Sequence, residues 1–132
     1  MRESNSGAGT SRELRILRLQ KHDEGGIRAA AFEEFGGPPT AGNRIRRNLI
    51  RGTAVDGLLV EVTATDTLLE RNVAIGAGDD GIDVDNAATT VTGNIAVRNG
   101  DLGIEAVAGV SDGGGNHAAA NGNPAQCANV AC

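Results

Sequence analysis

The sequence contains no tryptophan or tyrosine, and only two phenylalanines, Phe32 and Phe35. A compact core built on large aromatic anchors is therefore excluded. The chain has 132 residues, which is enough for one domain. Its 20 glycines, together with many alanine, valine, isoleucine and asparagine residues, predict a turn-rich fold of small, regularly stacked side chains.

A basic excess and long apolar runs are also missing. The formal net charge of −5 argues against a surface that binds nucleic acid. No run approaches the roughly 20 apolar residues of a membrane-spanning helix. The polar start "MRESNSGAGT" lacks the apolar stretch of a secretory signal. We therefore expect neither a nucleic-acid partner nor a membrane span.

Cysteine is scarce, with Cys127 and Cys132 five residues apart near the end of the sequence. Two thiols cannot complete a four-ligand zinc site, so the alternatives are a small disulfide loop, which we favour, and two free thiols. A disulfide implies an oxidising compartment, and hence an extracellular or cell-surface location. Because no signal peptide is present, we expect the start to be truncated and further chain to lie upstream.

Four asparagines recur at nearly constant spacing, and other residues recur in phase with them. The asparagines are 24, 22 and 22 residues apart, at Asn48, Asn72, Asn94 and Asn116. A glycine follows nine residues after each of the first three, and aliphatic residues flank each asparagine and each glycine at fixed offsets. Such a repeat is the signature of a solenoid, in which each unit buries its apolar face against its neighbours.

Each repeat contains three runs of three to four residues that favour strands, separated by turns rich in Gly, Asn and Asp. Strands this short can pair in parallel with their equivalents one coil along, about 4.8 Å away. We therefore predict an all-β fold, a right-handed parallel β-helix (a solenoid) of three to four coils. The asparagines are predicted to form a ladder, because each amide can donate to and accept from the next. Asparagine also tolerates the left-handed conformation of a tight turn.

The pattern divides the chain into three segments. Residues 43–115 carry the β-helix repeats, and residues 116–132 form a tail with the cysteine pair. Residues 1–42 do not fit the repeat. An apolar stripe in "SRELRILRLQKH" (residues 11–22) favours a helix that caps the solenoid, and disorder is the alternative. The interval from Gly57 to Asn72 has two extra residues, which we place in the loop "EVTATDT".

The repeats "NVAIGAGDDGIDV" and "NIAVRNGDLGIEA" resemble the right-handed β-helix repeats of the pectin-lyase-like superfamily. The tail "DGGGNHAAANGNPAQCANVAC" is similar to the ending of secreted bacterial members. The resemblance covers about two-thirds of the chain and implies the fold more specifically than any function, since members include lyases, hydrolases, epimerases and adhesins. In the family's enzymes the substrate groove follows the sheet that "GIDV" and "GIEA" would form here.

The resemblance to polygalacturonases of that superfamily suggests three catalytic carboxylates. Asp56 in "AVDG" stands where the family has "NTDG", and Asp79 and Asp80 supply its "GDD" one coil later. An inverting hydrolase needs an acid and a base about 6.5–9.5 Å apart. The chain departs from the family pattern because Ala54 and Val55 replace the Asn and Thr, and neither the histidine motif nor the Arg-Ile-Lys motif follows. The alternative is that Asp-Gly only forms the turn into the strand.

A second set of acids is expected on the outer face of the same sheet. Asp83 and Glu105 occupy one column on successive coils, and Asp85 lies two residues beyond Asp83. Such a row could bind a ligand or hold Ca²⁺, and the alternative is a solvated acidic face. We predict no dedicated metal site and no required cofactor.

The sequence therefore predicts an extracellular β-helix module, structural or carbohydrate-contacting, without demonstrable catalysis. The alternative is a truncated or degenerate polysaccharide-active enzyme, either a polygalacturonase-like hydrolase or a uronate lyase. The expected partner in both cases is a polysaccharide. The absence of tryptophan and tyrosine removes the usual stacking platforms for sugars.

Overall fold

The computed structural model describes the backbone of residues 12–14 and 25–29, and residues 42–132 in full. Within these ranges the chain forms β-strands and no helix. The strands are β1 (Arg12–Leu14), β2 (Gly25–Ala29), β3 (Asn43–Arg46), β4 (Leu49–Arg51), β5 (Asp56–Val60), β6 (Thr67–Glu70), β7 (Val73–Ile75), β8 (Ile82–Val84), β9 (Thr89–Thr92), β10 (Ile95–Val97), β11 (Ile104–Ala106), β12 (Ser111–Gly114), β13 (His117–Ala119) and β14 (Cys127–Ala128).

The strands form three parallel sheets that run along one axis. Sheet I has the order β1-β3-β6-β9-β12, sheet II the order β4-β7-β10-β13, and sheet III the order β2-β5-β8-β11-β14. Every pairing is parallel, and Val73 lies opposite Ile95 and Ile82 opposite Ile104, 22 residues along the chain. The chain thus passes through sheets I, II and III in turn and completes about four coils. The predicted parallel β-solenoid is confirmed.

The two short described stretches of the N-terminal segment are strands. Strand β1 pairs with β3, and β2 pairs with β5, so both extend the solenoid by one strand. Arg12–Leu14 is therefore not part of a helix, and the rest of the predicted helical cap lies outside the described residues. At the other end, β13 and β14 place part of the predicted tail within the fourth coil.

The core consists of aliphatic columns, each built from one residue per coil. Strands show alternating burial because successive side chains point to opposite faces. The fully buried column of sheet I is Ile45, Leu69 and Val91, and the columns of sheet III are Leu58, Ile82 and Ile104, and Val60, Val84 and Ala106. In sheet II the buried column narrows from Ile50 to alanine at positions 74, 96 and 118. Each coil therefore buries its apolar surface only against the coils next to it.

The loop between sheets III and I absorbs the difference in repeat length. It has six residues between β5 and β6, but four between β8 and β9 and four between β11 and β12. The two extra residues lie where the sequence predicts them. The strands on either side keep their register, with Leu69 opposite Val91.

The predicted asparagine ladder is present and buried. Side-chain Oδ1 of Asn94 accepts from the backbone N–H of Asn72 at 2.9 Å and from its Nδ2 at 3.0 Å. The same pair of bonds joins Asn48 to Asn72, and Asn94 to Asn116. The left-handed residue of each turn is the one before the asparagine, at Arg47, Arg71, Gly93 and Gly115, which corrects the expectation that asparagine itself adopts this conformation.

Candidate functional site

The acidic residues of the solenoid concentrate on sheet III and in the turns that lead into it. Asp56 begins β5, and Asp80 occupies the equivalent position before β8. Asp83 lies in the middle of β8, with Glu105 as its register partner on β11. Within residues 42–132 no arginine or lysine lies on the strands of this sheet. Along β5, β8 and β11 the sheet therefore presents an acidic outer face.

Asp56 and Asp80 form a ladder of their own along the solenoid axis. Oδ1 of Asp56 accepts the backbone N–H of Asp80 at 3.1 Å, and Oδ1 of Asp80 accepts the backbone N–H of Leu102 at 2.9 Å. Each carboxylate therefore satisfies an amide of the next coil that would otherwise lack a partner. Burial raises the pKa of both groups, that of Asp80 to about 7, against the lowering effect of these bonds.

Asp83 differs from its neighbours because one of its oxygens has no partner. Its side chain is half-buried, and Oδ1 is shielded from solvent without a hydrogen bond. Burial raises the pKa of Asp83 to about 7, and the charges of Asp85 and Asp56 raise it further. The carboxylate oxygens of Asp56, Asp80 and Asp83 lie within 4.8 Å of one another. We call these three residues the acidic triad.

The remaining candidates lie around the acidic triad without joining it. Asp79 is exposed and forms a second group with Asp80 and Asp101, whose oxygens also lie within 4.8 Å of one another. Asp85 and Glu105 are exposed and belong to neither group. Asp101 was not singled out in the sequence, although it lies one coil after Asp79 in the same column.

This geometry limits the chemistry of the site. The oxygens of the acidic triad lie closer together than the roughly 6.5–9.5 Å between the carboxyl groups of inverting hydrolases. Two of its three carboxylates are already tied to backbone amides. Oxygens this close could hold a hard cation such as Ca²⁺, which takes six to eight oxygen ligands. Three carboxylates would supply only part of that set.

A second buried ladder was missed in the sequence. Oδ1 of Asn121 accepts from the backbone N–H and the Nδ2 of Asn99, both at 2.9 Å. Gln126 then takes the place of the next asparagine, since its Oε1 accepts from Asn121 Nδ2 at 2.9 Å. The 22-residue spacing of Asn99 and Asn121 was a signal for this ladder. It is short because Ala77 and Thr53 occupy the same column in the first two coils.

The C-terminal residues fold back against the last coil. A disulfide joins Cys127 to Cys132. The Nδ2 of Asn129 donates to the carbonyl oxygen of Ala106 at 2.7 Å, and the backbone N–H of Ala131 donates to Oδ2 of Asp112 at 2.8 Å. Val130 packs against the core. These contacts close a loop over one end of the solenoid.

Comparison with protein-family models, curated proteins and solved structures gave no match. The function is therefore inferred from the fold and from the acidic outer face of sheet III. None of the described residues belongs to a helix that is long and apolar enough to span a membrane.

Proposed function

We propose that this chain is an extracellular β-helix module that contacts a polysaccharide through the outer face of sheet III and does not cleave it. The unpartnered oxygen of Asp83 carries the proposal. Oδ1 of Asp83 is shielded from solvent without a hydrogen bond, while the rest of this half-buried carboxyl group is accessible and also makes no hydrogen bond to a described residue. A hydroxyl group of a bound sugar would give the accessible oxygen a partner.

The protonation of the acidic triad favours neutral, hydroxyl-rich sugars. With pKa values of about 7, Asp80 and Asp83 each exist as a mixture of acid and carboxylate near neutral pH. Such groups both donate and accept hydrogen bonds, as sugar hydroxyls do. A uronate polymer would bring further negative charge to a face that already carries Asp79, Asp85 and Glu105. Contact with uronates would therefore need a bridging cation.

The location and the lack of turnover follow from other features. The Cys127–Cys132 disulfide supports an oxidising compartment, and the resemblance to secreted pectin-lyase-like proteins supports the same location. Asp56 and Asp80 hold the backbone of the following coil, which leaves each with one oxygen for any other task. We infer a binding role for the acidic triad, with Asp83 as its principal contact.

Affinity gel electrophoresis against a panel of neutral and uronate polysaccharides tests this proposal. We expect the mobility of the protein to be retarded by at least one neutral polysaccharide, and Asp83→Ala to abolish the retardation. Asp66→Asn is the matched control, because it removes one carboxylate from an exposed loop position away from sheet III. The Tm of both variants should be recorded to show that the solenoid is intact.

Three results would count against the proposal. Unchanged mobility on every polysaccharide would remove the binding role. An equal loss with Asp66→Asn would show that net charge alone is responsible. Release of reducing ends or unsaturated products, measured with and without Ca²⁺ and abolished by Asp80→Asn, would show an enzyme instead.

A further inference from the structure

The outer face of sheet II is aliphatic. Leu49, Val73 and Ile95 form one outward column on successive strands, and Ile75 and Val97 form part of a second. Leu49 is 53% exposed and Ile95 is 39% exposed. Side chains of this kind are normally buried when they form a contiguous set, and an exposed apolar patch marks an interaction surface. We call this surface the aliphatic face.

Exposed arginines border the aliphatic face. Arg47 and Arg71 lie in the turns before β4 and β7, Arg51 ends β4, and Arg98 directly follows β10. None of these four forms an ion pair with another described residue. No aspartate or glutamate lies on the strands of sheet II or in the two-residue turns before them. The aliphatic face therefore combines apolar surface with arginines that form no ion pair, although Asp79 and Asp101 lie in the turns that follow β7 and β10.

Three of these arginines adopt the left-handed backbone conformation at turn positions where the fold does not require an arginine. Arg47, Arg71 and Arg98 have φ values of 55°, 56° and 58°. Glycine, which adopts this conformation without a steric penalty, occupies the equivalent turn positions at Gly93 and at Gly76. The solenoid thus forms the same turns with glycine. Ala120 has the same conformation, with a φ of 58°, in the column of Arg98, so it is the charge of the arginines and not their backbone conformation that distinguishes this face.

The charge and shape of the aliphatic face determine which kind of partner fits it. A second copy of the chain placed face to face would bring arginines against arginines. The strands of sheet II pair in register without a bulge, so the outward side chains lie in one plane. A planar partner with anionic groups above an apolar layer matches this arrangement. Guanidinium groups bind phosphate through paired hydrogen bonds, and the aliphatic side chains would lie below the headgroups.

We propose that the aliphatic face docks on the surface of an anionic phospholipid bilayer. Arg47, Arg71 and Arg98 bind lipid phosphates, while Leu49 and Ile95 contact the acyl boundary. Binding is peripheral and reversible, and it leaves the acidic face of sheet III free. The proposal is independent of the polysaccharide contact, because it uses a different sheet.

Vesicle sedimentation of the full chain tests the proposal. The probes are vesicles of phosphatidylcholine alone and vesicles of phosphatidylcholine with about a third phosphatidylserine. We expect binding to the second kind only, weakened by added salt because the attraction is electrostatic. Arg71→Gly and Arg98→Gly should each weaken binding roughly fivefold, and Leu49→Thr/Ile95→Thr should abolish it.

The glycine variants separate binding from folding. Because each relieves a left-handed arginine, its Tm should equal or exceed that of the unmodified chain while its binding falls. Arg44→Gln is the matched control, since it removes an exposed charge from the outer face of sheet I and should leave binding unchanged.

Any of several results would overturn the proposal. These are no sedimentation with anionic vesicles, equal sedimentation with both kinds of vesicle, or an equal loss with Arg44→Gln. Retention of the chain by immobilised polyglutamate, lost in Arg71→Gly, with no sedimentation on vesicles would assign the face to an acidic polypeptide instead.

Discussion

The side chain of Asn72 makes four hydrogen bonds in the interior of the solenoid. Its Oδ1 accepts from the backbone N–H and the Nδ2 of Asn48, and its Nδ2 donates to Asn94 Oδ1 and to the carbonyl oxygen of Ile45. All of these groups are shielded from water, so the ladder residue satisfies both its own polar atoms and those of two other coils.

We predict that Asn72→Ala lowers the free energy of unfolding by about 3 kcal/mol, because it leaves a buried N–H and a buried carbonyl oxygen unpaired. Thr53→Val provides the contrast. The Oγ1 of Thr53 is buried without a hydrogen bond, so its removal at constant volume should leave stability unchanged or raised. Urea titration followed by far-UV circular dichroism measures both, and equal effects of the two variants would contradict the ladder's energetic role.

Residue spacing predicted this ladder, but it could not separate structural from chemical roles. Asn48 to Asn116 were identified because the same residue type recurs in one column. Asp56 and Asp80 also lie in one column, and the sequence left open both a catalytic role, implied by the family resemblance, and a role in the turn into the strand. Only the distances of 3.1 and 2.9 Å to backbone amides show that they also form a ladder. When a carboxylate accepts a backbone N–H of the next coil, the sequence shows only that aspartate recurs at the same position of successive repeats.

At the scale of elements, the last coil is held in place by the segment that follows it. Strand β14 pairs only over Cys127 and Ala128, and it has a neighbour on one side only. The disulfide closes a short loop directly after this strand. In a solenoid, stability is approximately a sum of local terms, so this loop should stabilise the fourth coil more than the others.

We predict that Cys127→Ser/Cys132→Ser lowers stability by roughly 2 kcal/mol, the chain-entropy value for a loop of this size. Hydrogen exchange should locate the effect. Amides of β13 and β14 should lose protection while those of β7 and β8 retain it. Protection lost equally in all four strands would show that the solenoid responds as one cooperative unit instead.

The strands at the two ends were harder to predict than those in the middle. Strands β7 to β11 follow a 22-residue repeat with aliphatic columns, which the sequence displays directly. Strand β1 pairs with β3 at an offset of 31 residues, Leu14 opposite Ile45, and β2 pairs with β5 at the same offset. Because this offset is longer than the 22-residue repeat, the spacing of similar residues in the sequence does not reveal these two strand pairings. At the other end, β12 reads "SDGG", which carries no aliphatic pattern.

At the scale of the whole molecule, charge is segregated around the coil. Within residues 42–132, six of the eleven acids lie on sheet III or in the turns leading into it, whereas exposed arginines border sheet II. Burial of Asp80 and Asp83, and then the crowding of carboxylates on one face, opposes their ionisation. The folded state therefore holds protons on Asp80 and Asp83 up to a pH at which an unfolded chain has already released them.

This difference predicts that stability falls as the pH rises. The pKa of each of these two groups is about 7 in the folded chain, against a model value of 3.8. The contribution is fully present below the unfolded value and is lost as the pH rises through the folded value. Tm should therefore be higher at pH 5.5 than at pH 8.5.

Asp80→Asn/Asp83→Asn should flatten this dependence and raise the Tm at pH 8.5. The amide oxygen of an asparagine can still accept the N–H of Leu102. Asp112→Asn is the control, because backbone N–H groups of Ala131 and Gly114 lower the pKa of Asp112, so its titration lies in the acid range. A wild-type Tm that is constant over this interval would contradict the raised pKa values.

Because each coil packs only against its neighbours, the length of the solenoid can change without any change in how a single coil folds. One coil of 22 residues advances the axis by about 4.8 Å, whereas the same residues fully extended would reach roughly 70 Å. Duplication or deletion of one whole repeat would change the height by one such step and leave the cross-section as it is. A new copy would receive ladder, core and turn contacts from its neighbours immediately. The length of such a solenoid can therefore change in evolution by one repeat at a time. The solenoid would then act as a spacer whose length is a whole number of coils.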